Sequence, residues 1–232
     1  GDADSEKWLE YGRTAPFPLS QAFRLEGRKV RRYEAWLGTQ FDACSVNAPR
    51  EGDVLAAYVD APIRVIPNGV DLEYFEPTRP SGRGHVPNRI VFTGNMSYRP
   101  NVDAVQHLVT AVLPRIRREI PDVQLCIVGM DPTPAVRRLA DADRVVVTGR
   151  VDDVRPYFDS AAVAVAPLRV ARGLQNKVLE AMAMRVPVVA SPPAFEGISA
   201  VAGRDLLVAA GPTAFSRAVV TLLRDPAARE RY

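Results

Sequence analysis

Short, wholly apolar strands alternate with helix-length segments from residue 90 onward, and few folds admit that pattern. Ile90-Val91-Phe92-Thr93 reads as a buried strand ending at Gly94. A helix is expected over 102–119, a strand over 123–128 and a helix near 134–141. Strand 145–148, helix 153–159, strand 162–166, helix 174–185 and strand 187–190 complete the series. Strands that lack polar alternation are covered on both faces, and the intervening helices supply the cover. The combination predicts an α/β domain with a parallel sheet. Ligands of such sheets bind beyond the carboxyl ends of the strands.

The first part of the chain patterns differently. Helices over 21–38 and 50–59, with strands over 41–46 and 63–66, predict a partial second α/β domain. The stretch 76–87 is rich in Pro, Gly and Arg and reads as a linker. The expected division is therefore 1–76 and 77–232.

Several function classes drop out early. Net charge is +3, which selects no anionic partner by itself, and nucleic acid is not expected. Cys44 and Cys126 are the two cysteines, and neither sits in a CxxC pair or a Cys/His cluster. A zinc site or a disulfide framework is therefore not expected. Cys126 lies in the run 123–128 and reads as a small core residue. No apolar run approaches the ~18 residues of a membrane span, and no signal peptide is expected. Gly82-Arg83-Gly84 precedes a strand instead of following one, so it is not a dinucleotide fingerprint. There is no P-loop motif. His85 and His107 are the two histidines; the first falls in the linker, the second inside a helix. Both read as structural or solvated.

The segment 167–184 carries the densest chemistry. It follows a buried strand and opens a helix, so the free N–H groups of the helix start face the ligand side of the sheet. Arg169 and Arg172 precede the helix and Lys177 lies one turn in. Cations at a helix start oppose the dipole unless an anion is bound, and such local conflicts mark function. The competing reading is that Lys177 and Glu180, at i and i+3, form an ordinary surface pair.

Lys177-Val178-Leu179-Glu180-Ala181-Met182-Ala183, followed by Pro187-Val188-Val189-Ala190, resembles the K-x-x-E-A-M-A…P-V-V signature of family 4 glycosyltransferases. Three further segments occur in matching order. They are Ile66-Pro67-Asn68-Gly69-Val70-Asp71 with Phe75 and Pro77, Gly94-Asn95-Met96-Ser97-Tyr98-Arg99-Pro100-Asn101, and Gly149-Arg150-Val151 with Asp153-Val154. The glycine-loop variant, with Arg172-Gly173-Leu174-Gln175-Asn176-Lys177, is similar to sugar transferases of bacterial exopolysaccharide loci. Asp2-Ala3-Asp4-Ser5-Glu6-Lys7-Trp8 resembles the same subgroup more weakly.

The resemblance implies a GT-B fold of two Rossmann-like domains with the active site between them. Residues 77–232 would be the donor domain and 1–76 the tail of the acceptor domain. The implied reaction moves a sugar from a nucleoside diphosphate sugar to a glycan or lipid-linked acceptor, with retention and without a metal or other cofactor. Glu180 would grip the ribose diol. Lys177 and Arg99 would neutralise the diphosphate. Main-chain groups of Gly173, Leu174 and Gln175 would face diphosphate and sugar, and Arg150 and Val151 would present backbone to the base. Where the family usually carries a glutamate eight positions before the ribose-binding one, this chain has Arg172. The early loop often has an arginine after its glycine, where this chain has Asn95. Acceptor-side catalytic residues are not identified. The chain by itself is expected to bind nucleotide without useful transfer.

Two rival readings remain, a nucleotide-sugar epimerase of the same fold and a nucleotide-binding module without turnover. Arg172 and the scarcity of histidines argue against the epimerase. The resemblance places the protein in the cytoplasm, with the inner face of the membrane as a second location. Helix 21–38 carries Arg24, Arg28, Lys29, Arg31 and Arg32 beside Phe23, Val30, Tyr33, Trp36 and Leu37. It could rest on an anionic bilayer, or its apolar face could pack on its own domain with the arginines solvated. Strands left uncovered in 1–76 also allow a homodimer.

Overall fold

The computed structural model describes residues 3–77, 86–141, 144–171 and 173–232, the side chain of Thr14 excepted. The linker stretch 78–85, His85 included, and Arg172 lie outside the described residues. The chain divides into two compact units, Gly1–Asn68 with Arg172–Leu174, and Gly69–Ala171 with Gln175–Tyr232.

The first unit opens with helices α1 (Asp4–Thr14) and α2 (Leu19–Gly38). Strand β1 (Cys44–Val46), helix α3 (Pro49–Ala56) and strand β2 (Ile63–Val65) follow as a βαβ unit. The two strands pair in parallel, Cys44 opposite Ile63 and Val46 opposite Val65. Ala3, Val46, Leu55 and Val59 form the core. Glycines set the α1–α2 approach: a Cβ on Gly27 would come within 2.9 Å of the Leu9 side chain. Buried polar groups pin the start of α1. Glu51 accepts from the Ala3 N–H at 2.8 Å. Glu34 accepts from the Ser5 N–H at 3.1 Å and from the Tyr58 hydroxyl at 2.6 Å. Burial, and then the Glu34 carboxylate, push the Tyr58 hydroxyl well above its ordinary pKa.

The second unit is a six-stranded parallel sheet. Strand β3 (Arg89–Thr93) leads into α4 (Arg99–His107), a π-helical turn at Leu108–Val112, and α5 (Leu113–Glu119). The expected helix 102–119 is thus one helical run with a wide turn inside it. Pro114 has no N–H to offer the carbonyl four residues back, and the Leu113 N–H bonds Leu108 instead, five residues back. Then come β4 (Gln124–Val128), α6 (Pro134–Arg137), β5 (Val145–Val147), α7 (Arg155–Asp159) and β6 (Val163–Ala166). Helix α6 is shorter than the expected 134–141. Asp141 and Val145 exchange backbone hydrogen bonds at 3.0 Å, so Asp141 already pairs with the start of β5 where the expected helix would still run. After β6 follow α8 (Asn176–Ala183), β7 (Val188–Ala190), α9 (Pro192–Phe195), β8 (Leu207–Val208), α10 (Gly211–Arg224) and α11 (Pro226–Arg231). Helix α10 buries Phe215, Val219, Val220, Leu222 and Leu223 and packs against α5.

Strand order is β5-β4-β3-β6-β7-β8. The chain leaves β3 toward β4 and leaves β6 toward β7, in opposite directions. With right-handed crossovers, the connections after β3 and β6 lie on opposite faces, and a crevice opens between their carboxyl ends. The first turns of α4 and α8 meet there, through Asn101 and Lys177. The parallel α/β sheet is the one expected from the alternation.

Candidate functional site

Three glycines end three adjacent strands: Gly94 after β3, Gly129 after β4 and Gly149 after β5. Gly94 donates to the Val128 carbonyl at 3.0 Å, and Gly129 donates to Gly149 at 3.2 Å. A Cβ at Gly94 would meet the Asn101 amide nitrogen at 2.7 Å and the Lys177 ammonium at 3.2 Å. The missing side chain is what lets α4 and α8 bring polar groups onto the end of β3.

Lys177 lies in the first turn of α8. Its ammonium donates to Asn101 Oδ1 at 2.6 Å and sits 4.6 Å from the centre of the Phe92 ring. Asn101 is buried, and its amide donates to the Asn95 carbonyl at 2.9 Å. One amide therefore holds both the glycine loop and the lysine. Residue Lys177 is half-buried, but its ammonium end is desolvated. That burial lowers its pKa to about 8, against a smaller opposing pull from Glu180. Glu180, half-buried one turn later, has its pKa raised by burial and partly restored by Lys177. The expected i, i+3 coupling is thus electrostatic, while the lysine's hydrogen bond goes to Asn101.

Of the other expected residues, Arg99, Arg150, Val151 and Gln175 lie at the same end of the sheet, while Gly173 and Leu174 belong to the first unit. Arg99 is exposed and opens α4. Gly173 has φ +62, a left-handed conformation that suits glycine. Leu174 is buried, and Gln175 is the extended residue before α8. Arg150 and Val151 follow β5, two strands and about 10 Å from β3. Gly149 and Arg150 line a cavity of about 340 Å³ with Asp131, Pro132, Arg137 and Thr148. Arg169 does not join Lys177. It makes a two-pronged ion pair with Asp103 of α4, one arm at 2.8 Å.

Asn101 is the residue that motif reading missed. It closes the Gly94–Asn101 segment, and the signal was there, in a polar residue placed one turn into an otherwise apolar helix face. Among the described residues, no group of three or more His, Cys, Asp or Glu could hold a metal ion. No described helix is long and apolar enough to cross a membrane.

A pH dependence follows from Lys177. An anion bound at Lys177 would favour the charged lysine, so its affinity should fall as pH rises through the pKa of about 8. Between pH 7 and pH 9 the protonated fraction drops about tenfold, and affinity should drop with it. A Lys177→Arg variant keeps its charge across this range. Titrations of both proteins with a nucleoside diphosphate should therefore diverge above pH 8; parallel profiles would remove Lys177 from the anion site.

Residues 87–225 match the family described as glycosyl transferases group 1. The chain is 27% identical over 214 residues to the lipopolysaccharide core biosynthesis mannosyltransferase LpcC of Rhizobium leguminosarum bv. viciae, covering 86% of this chain and 59% of that protein. Among solved structures, sucrose-phosphate synthase from Thermosynechococcus elongatus superposes with a TM-score of 0.69 at 23% identity, over 88% of this chain and 54% of that one. HepE from Anabaena, solved with UDP and glucose, gives 0.69 at 16% identity, over 88% and 60%. These are GT-B folds, and at such identities they establish the architecture alone. The chain spans 59% of the length of the mannosyltransferase it matches.

Proposed function

The chain belongs to the glycosyl transferases group 1 family, and from that membership we propose that it serves transfer of a hexose from a nucleoside diphosphate sugar to a glycan or lipid-linked acceptor, with retention. The observation that carries the reading is the Lys177–Asn101 junction at the topological switch point, with Glu180 one turn further along the same helix. A buried ammonium beside a helix N-terminus is a seat for phosphate. A half-buried carboxylate one turn away, with no hydrogen-bond partner among the described residues, is free to accept from the two hydroxyls of a ribose. The cavity after β4 and β5 offers the backbone of Gly149 and Arg150 to a base, and Val151 extends that edge.

In this reading Arg99 is the second phosphate cation. By the motif resemblance, main-chain groups of Gly173, Leu174 and Gln175 would face the diphosphate and sugar, and Arg172 holds the sequence position of the family's usual glutamate. Residues 77–232 form the donor half and 1–76 part of the acceptor half. The motif set supports placement in family 4 and, through the Gly94–Asn101 and Arg172–Lys177 variants, in a bacterial exopolysaccharide role in the cytoplasm. With 59% of its relative's length, the chain alone should bind nucleotide and transfer poorly. Cations and helix ends, not a divalent metal, would stabilise the leaving diphosphate.

The test is Glu180→Gln. Calorimetry with a ribose nucleoside diphosphate and its 2′-deoxy analogue, with and without EDTA, should show about a tenfold loss for the ribose form, a hydrogen bond to a charged group being worth ~1.5–3 kcal/mol. The deoxy form should lose less, and EDTA should change neither. Equal losses would return Glu180 to a structural role, and an EDTA effect would bring a metal into the site.

A further inference from the structure

Helix α2 presents one side to the protein and leaves another uncovered. Gly27 and Gly38 are buried, Arg24 donates to the Gly12 carbonyl at 3.2 Å, and the Arg31 guanidinium lies 4.4 Å over the Tyr58 ring. These contacts fix the rotation of the helix. Of the five cations read from the sequence, Arg24 and Arg31 therefore have partners within the protein. Arg28, Lys29 and Arg32 are exposed.

The outward side is not polar throughout. Leu25, Lys29, Arg32 and Trp36 follow one another at i, i+4, i+7 and i+11, a single stripe along the helix. Leu25 is 57% exposed, Trp36 53% and the neighbouring Tyr33 57%. Phe17, before the helix, is 81% exposed, and Phe41, after it, is 61% exposed. Of the apolar residues read from the sequence, Phe23, Val30 and Leu37 are half-buried, as packing on the helix's own domain requires, while Tyr33 and Trp36 are exposed.

We propose that this stripe of α2 is a docking surface for an anionic lipid bilayer. Charge chooses the occupant. Three cations face outward, and among the described residues Lys29 has an acid, Glu26, at 3.8 Å. Three outward cations beside exposed Leu25, Tyr33 and Trp36 call for an occupant that is anionic at its surface and apolar just beneath it, the layering of a bilayer interface. A second copy docking through the same stripe would set like charges against each other. Tyr33 and Trp36 stack on one another at 5.5 Å, so each ring covers a face of the other instead of offering it to a nucleobase. Anionic headgroups meet every requirement: they pair Arg28, Lys29 and Arg32, while Leu25, Tyr33 and Trp36 enter the interfacial layer that suits amphipathic rings. The helix would lie in the plane of the surface, since it is neither apolar enough nor free enough of charge to cross it. This inference stands on α2 alone and needs no part of the transferase reading.

The experiment is co-sedimentation of the 232-residue chain with vesicles of phosphatidylcholine, alone or mixed with phosphatidylglycerol, at low and high salt. Binding should require phosphatidylglycerol and weaken at high salt. The triple variant Arg28→Glu, Lys29→Glu, Arg32→Glu changes exposed residues only and should lose at least about tenfold in partitioning. The chain has two tryptophans, Trp8 and Trp36. In a Trp8→Phe background, Trp36 emission should shift to the blue with mixed vesicles and stay put with phosphatidylcholine alone. Equal binding to both vesicle types, or unchanged partitioning of the triple variant, would overturn the proposal. So would a Trp36 already blue-shifted without lipid in a particle that light scattering finds to be a dimer.

Discussion

Replacing Lys177 by alanine is expected to weaken nucleoside diphosphate binding about tenfold to a hundredfold at neutral pH, the loss of one charge-assisted contact. The side chain has two jobs that pull in opposite directions. Its ammonium is desolvated, which lowers its pKa to about 8 and makes the charged form costly in the empty site. An anion repays that cost, so the lysine's contribution appears in binding more than in folding. The alanine variant leaves Asn101 Oδ1 without its 2.6 Å donor, a polar atom in a buried residue. Removal of a desolvated charge offsets part of that loss, so thermal stability should change far less than affinity. Calorimetry beside a melting curve separates the two. A folded variant with native affinity would show that the phosphate seat lies elsewhere.

The same residues show what was legible in the sequence. The places of Lys177 and Glu180 on a helix that follows a buried strand could be read, because apolar runs and helical spacing fix where such a helix starts. Asn101 could not be read as their partner, because its contact to Lys177 spans 76 residues of chain and depends on β3 and β6 being neighbours. The partner of Arg169 was hidden for the same reason: the fold pairs it with Asp103, 66 residues away. The strands from β3 to β7 were legible because their apolar runs have no competing explanation. Past residue 190 the strands are too short to stand out as apolar runs, although the buried set Phe215, Val219, Leu222 and Leu223 of α10 has helical spacing. Helix α2 was half legible. Periodicity identified an amphipathic helix, but two of its cations face protein groups and three of its apolar residues face out, a rotation set by Gly27 and Gly38.

Gly129→Ala should cost about 3–5 kcal/mol, combining overpacking with a strained backbone, and lower the melting point by roughly 6–20 °C. The added Cβ would lie 1.7 Å from the Gly94 carbonyl oxygen and 2.8 Å from its carbon. Both are backbone atoms, so no side chain can swing away. Gly129 also holds φ at +151, which a side chain disfavours independently of space. The carboxyl ends of β3 and β4 would have to part, straining the Gly94 bond to Val128 and, through Asn95 and Asn101, the position of Lys177. Gly149 is the control. Its φ is +73, but a Cβ there meets nothing within 4 Å, so Gly149→Ala should cost only the backbone part, about 1–2 kcal/mol. Melting curves of the two variants, with nucleotide affinity measured on whichever protein stays folded, read the steric part by difference. If Gly129→Ala melted with the wild type, the β3–β4 ends could not lie as close as described, and the seat built on them would lose its floor.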